Sequence, residues 1–101
     1  MSCGAIKGAC DGAQLGHLTG LLERIKPAVD SVQTAPGAAR TSKNSAFVED
    51  VATANVRLAL KTIRAESPIL GGLIEKGEVG LVGGMYDLET GKVTFFSEQN
   101  P

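Results

Sequence analysis

The sequence predicts an α/β fold, three helices followed by a C-terminal β-hairpin. Three stretches carry that reading. Leu15, Leu18, Leu22, Ile25 and Val29 recur at helical spacing, with Leu21 widening the stripe. A second and longer apolar arc runs from about Ala46 to Ala65. Near the end, Val79–Tyr86 and Lys92–Phe96 are two strand-like runs joined by the turn-forming Asp87-Leu88-Glu89-Thr90-Gly91.

With 101 residues the chain is expected to form a single domain, residues 1–101. A chain of this size buries about 60–65% of its unfolded surface, so its core is thin. Aromatics make up only 4% of the sequence and Trp is absent, so packing must come from Leu, Ile, Val and Ala.

The first helical period starts at Gln14. Gly16 and Gly20 weaken that helix, each by ~1 kcal/mol relative to Ala, and Pro27 is expected to kink it or end its regular part. Gln33 to Lys43 has no period and contains Pro36-Gly37, which reads as a loop. Asn44 or Ser45 then offers an N-cap for the second helix. In that helix Phe47, Val48, Val51, Ala52, Val56, Ala59, Leu60 and Ile63 cover more than one core-facing stripe. Such a helix is either central or used at a subunit contact. Arg57, Lys61 and Arg64 form a basic strip, most simply a solvated face.

Ser67-Pro68 is a helix start, and the short third helix runs through Lys76 to a stop at Gly77. Val79 to Tyr86 reads as a buried strand, apolar on both faces. The last five residues are polar and expected to fray.

Ten basic and eleven acidic side chains give a net charge of −1 with no block of either sign. Nucleic acid is therefore not an expected partner, because phosphate recognition needs a concentrated basic face. No apolar run approaches the ~18 residues of a membrane span, and Met1-Ser2 is not expected to open a signal peptide. The expected compartment is the cytoplasm, where both thiols stay reduced.

The amino end carries the chemistry. Met1 to Gly12 is rich in Gly and Ala and holds both cysteines, Cys3 and Cys10. Small residues after Cys3 let backbone approach whatever the sulfur holds, with amide N–H groups free to point at it. A thiolate metal ligand at a strand-to-helix junction fits that pattern. A buried cysteine followed by a helix start fits it equally. Cys3, Cys10 and His17 recur every seven residues. Seven residues of helix rise about 10 Å, too far for neighbouring ligands of one zinc within a helix. Cys10 is read as a small buried hydrophobe, and His17 as a surface or packing residue.

Ser2-Cys3-Gly4-Ala5-Ile6-Lys7-Gly8-Ala9 resembles the second zinc-ligand motif of the beta-class carbonic anhydrases, His-x-x-Cys-Gly followed by a small-residue helix turn. Ser42-Lys43-Asn44, Ala54-Asn55-Val56-Arg57, Ser67-Pro68-Ile69-Leu70 and Tyr86 to Val93 each look like their counterparts in that family, in the same order. The resemblance implies the C-terminal part of a beta-carbonic-anhydrase-like fold, completed by oligomerisation. It places Val79–Tyr86 as a parallel strand and Lys92–Phe96 as an antiparallel edge.

It also implies zinc as cofactor, carbon dioxide and bicarbonate as substrate and product, and a homo-oligomer. Cys3 falls on the zinc-ligating cysteine, and Gly4 on the glycine whose backbone lies beside the substrate. The family's histidine would sit one position before Met1. Its first ligand cysteine and its Asp-x-Arg pair belong to a part that this sequence lacks, and no Asp-x-Arg occurs elsewhere in it. One of three protein zinc ligands is thus expected, with no catalytic residue, and the chain by itself is expected to be inactive.

Three readings follow. The first is a fragment of a zinc-dependent carbonate dehydratase. The second is a non-catalytic oligomerising or interaction module derived from the same family. The third is an assembly pooling Cys3, Cys10 and His17 from several chains into one metal site.

Overall fold

The computed structural model describes residues 3–97. The elements run α1 (Gly4–Asp11), α2 (Leu18–Ser31), α3 (Ser45–Glu66), α4 (Pro68–Glu75), β1 (Val82–Tyr86) and β2 (Val93–Ser97). The class is mixed α/β as expected, but the described residues form four helices instead of three. The addition is α1, where the small-residue stretch continues past a helix start for two turns. Gly12 stops it in the left-handed region at φ 66°, with the Gly12 and Ala13 amides donating to Ala9 and Gly8 carbonyls. Contacts cluster into two compact units, Met1–Asn55 and Val56–Pro101, with the boundary inside α3.

In the first unit α1 packs on α2, close enough that a Cβ on Gly8 would lie 3.3 Å from a Leu22 methyl. Ile6, Cys10, Leu22, Ile25, Ala28, Phe47, Val48, Val51 and Ala52 are its buried apolar residues. Helix α2 begins at Leu18, four residues later than its apolar period suggests. Gly16 turns left-handed at φ 54°, and the Leu15 amide donates to Thr19 Oγ1 at 2.8 Å. Leu15 lies outside the helix and is exposed, Leu21 is exposed within it, and the buried stripe narrows to Leu22, Ile25 and Ala28. Pro27 does not end the helix, which continues to Ser31. Pro27 and Glu23 are both exposed, so the gap in the hydrogen-bond ladder lies on the outer side.

Residues 32–44 form the expected loop, but it is tied down. The Arg40 guanidinium donates to the Val32 and Val29 carbonyls at 2.7 and 2.9 Å, a cation on the negative end of α2. The same group stacks 4.8 Å above the Phe47 ring. Asn44 is the N-cap of α3, its Oδ1 accepting from the Phe47 amide at 3.2 Å.

Asp11, at the end of α1, accepts from the Ser42 amide at 2.8 Å and the Ser42 hydroxyl at 2.6 Å. These bonds hold its carboxyl below the ordinary 3.8. A carboxylate depressed on folding adds stability above its unfolded pKa, and that stability is lost as pH falls through the lower folded value. Urea titrations at stepped pH below about 5 should therefore show an acid-induced loss that is smaller in Asp11→Asn. Equal pH slopes for the two proteins would contradict the tie.

In the second unit Ser67 caps α4, its Oγ accepting from the Leu70 amide at 3.3 Å, with Pro68 at the first helical position. Strands β1 and β2 pair antiparallel from Val82↔Ser97 to Tyr86↔Val93. The Asp87 amide donates to the Lys92 carbonyl at 2.8 Å, and Asp87 Oδ1 accepts from the Glu89 amide at 2.9 Å, closing the turn. Gly83 faces the second half of α3, beside Val56 and Leu60, and Arg57 stacks 4.6 Å above the Phe96 ring.

Two strand expectations are corrected. The first strand starts at Val82, leaving Val79 outside it, while its antiparallel pairing with β2 is the hairpin expected. It is not buried on both faces, since Val82 and Tyr86 are exposed. A two-stranded sheet with a helix on one side leaves the other side uncovered. The apolar arc of α3 is likewise narrower than expected, with Ala59 and Ile63 exposed. Of the tail expected to fray, Ser97 ends β2, and residues 98–101 lie outside the described part.

Candidate functional site

Cys3 is the N-cap of α1, with extended backbone (φ −109°, ψ 119°) and its carbonyl accepting from the Lys7 amide at 3.0 Å. Its side chain makes no capping hydrogen bond, and the thiol is free and exposed. Of the two readings of this cysteine, burial is thereby ruled out. Cys3 stands at the amino end of α1, so the positive end of the helix dipole lies beside the sulfur. Gly4 opens the helix and is exposed, and a Cβ there would meet nothing within 4 Å. Among the described residues nothing demands a glycine at that place.

The other candidates lie apart from Cys3 in character. Cys10 is buried in the α1–α2 packing, as expected of a small hydrophobe. Burial, with the adjacent Asp11 charge, pushes its thiol pKa up, which works against a thiolate ligand. His17 is exposed just before α2 and makes no capping bond. A cleft of about 340 Å³ lies between α1 and α2, lined in part by Cys10, Asp11, Leu22, Glu23, Lys26 and Asp30; Cys3 and Gly4 are not in its wall. Among the described residues no group of three or more His, Cys, Asp or Glu side chains could hold a metal ion.

The geometry thus leaves one exposed thiol at a helix start as the chemical feature of the amino end. A family model described as carbonic anhydrase matches residues 1–93. The chain belongs to the beta-class carbonic anhydrase family. No curated protein and no solved structure matches it. The match covers both units, from the Cys3 motif to the first residue of β2.

Carbonic anhydrases of this class generally use zinc. The described residues of this chain do not fit that ion unaided. Zinc affinity comes from several deprotonated ligands fixed in tetrahedral geometry, and here a single exposed thiol is in place. Two further anchors, Arg40 over Phe47 and the Asp11–Ser42 tie, were not foreseen from the sequence. Neither has a spacing signature, because each joins residues from an aperiodic loop to a helix.

Proposed function

We propose that this chain serves the reversible hydration of carbon dioxide to bicarbonate by contributing one zinc ligand, Cys3, and the Gly4 backbone beside the substrate. The remaining ligands and the Asp-x-Arg pair would come from residues that these 101 do not include, and the chain alone is inactive. The observation that carries this reading is the free, exposed Cys3 thiol at the start of α1 in a chain matched by the family over residues 1–93. Residues 1–101 act as one domain within a homo-oligomer, in the cytoplasm, where Cys3 and Cys10 stay reduced.

Stopped-flow assay of the purified chain should give carbon dioxide hydration at the uncatalysed rate. Adding a polypeptide that bears the family's other cysteine, its histidine and its Asp-x-Arg should raise turnover, and Cys3→Ser should abolish that gain. Turnover by the chain alone, or a gain indifferent to Cys3→Ser, would overturn the proposal.

A second reading, a non-catalytic interaction module from the same family, is favoured by one observation. The second unit carries large apolar residues that are open to solvent, including Ile69 at 78% and Phe95 at 72% exposure. Under that reading the added polypeptide restores no turnover.

A further inference from the structure

The cleft of about 340 Å³ between α1 and α2 lies at the lower end of the size range of small-molecule sites. Its apolar part comes from Ala9, Ala13, Leu22 and Val29, with the buried Cys10 beside them. Its charged part is unbalanced. Asp11 stands on the α1 side, and Glu23 and Asp30 stand on the α2 side with Lys26 between them, three carboxylates against one ammonium. The whole chain is near neutral, at −1, so this local excess comes from placement and not from composition.

Helical spacing explains why these groups share a wall. Glu23, Lys26 and Asp30 recur at three and four residues on one face of α2, and Leu22 beside them packs against Gly8 of α1. The seven residues from Glu23 to Asp30 rise about 10 Å along the axis. The carboxylates do not converge, since among the described residues no three such groups could hold a metal ion. Negative charges spread along an apolar floor match a ligand whose positive charges are spread along an aliphatic chain. A compact metal ion would meet one carboxylate at a time and leave the floor uncovered.

We propose that this cleft binds a linear aliphatic polyamine, its ammonium groups paired with Asp11, Glu23 and Asp30 and its methylene segments lying on Ala13, Leu22 and Val29. Burial of the methylenes supplies the share of affinity that salt does not screen, and the carboxylates set position and charge selectivity. Asp11 takes part while still holding the loop, because each of its oxygens accepts one bond from Ser42 and keeps a second lone pair. Lys26 opposes the ligand, so the cleft binds more weakly with that charge than without it.

Titration of the full chain with spermidine, followed through its amide resonances by nuclear magnetic resonance, tests the site. Saturable shifts should gather at the amides of residues 11–13 and 19–30. Glu23→Gln and Asp30→Asn, both at exposed positions, should each weaken binding about two- to fivefold, the range for one exposed ion pair. Lys26→Gln should strengthen it by a similar factor. Glu49→Gln, at an exposed carboxylate of α3, should change nothing. Magnesium chloride at the same charge concentration should not reproduce the shifts. Absence of saturable binding, or shifts spread evenly over the exposed carboxylates elsewhere, would overturn the proposal. So would an equal response to magnesium, or an affinity indifferent to the Glu23, Asp30 and Lys26 variants.

Discussion

Phe47→Ala should cost this chain about 3–5 kcal/mol of stability, the range for truncating a buried aromatic. Phe47 is 1% exposed, and with Val51 it is one of the largest fully buried side chains among the described residues. It sits in the first turn of α3, its amide held by the Asn44 cap and its ring beneath Arg40. Truncation thus opens a cavity where the loop, the C-terminal end of α2 and α3 are held together. Domains of this kind have about 5–15 kcal/mol in total, so the loss is a large fraction of it. In urea, with a slope of about 2 kcal/mol/M, the midpoint should fall by about 2 M. Leu21→Ala, at a position 51% exposed, should move it little. A Phe47→Ala shift below about 0.5 M would mean that the first unit is not built around this ring.

Gly83→Ala should destabilise the hairpin by about 1–3 kcal/mol, the usual cost of an extra methyl in a filled space. An added Cβ would lie 2.6 Å from Val56 Cγ1 and 3.2 Å from Leu60 Cδ1, so β1 or the helix must shift. The glycine is needed for close approach to α3; its φ is not positive. Removing the obstruction should therefore repair the damage. In Val56→Ala the added methyl has room, and the double variant should be more stable than the sum of the two single losses. Hydrogen exchange at β1 and β2 amides reads the effect locally. Additive losses would place the cost elsewhere than in this contact.

How much of this was legible in the sequence depended on the kind of signal. The start of α3 followed from the cap offered by Asn44 or Ser45 and that of α4 from Ser67-Pro68, since caps are local chemistry that needs no tertiary context. The hairpin followed from the Asp87–Gly91 turn in the same way. The start of α2 did not. Leu15 continues the apolar period, yet the left-handed Gly16 and the Thr19 hydroxyl hold the start of the helix back to Leu18. Pro27 misled in the opposite direction, because an exposed proline can be carried where packing at Ile25 and Ala28 holds the helix. The burial of β1 was misjudged because an apolar run says that a cover is wanted, not that one is supplied. At the amino end the motif singled out Cys3, and the structure decided between exposed and buried.

The central claim is that Cys3 is a single zinc ligand with no companions among the described residues. Zinc content, by elemental analysis of the purified chain after equilibration with zinc and removal of the excess, tests it most directly. The account predicts well under one ion per chain, unchanged by Cys3→Ser. One tightly held zinc per chain, lost on Cys3→Ser, would contradict it.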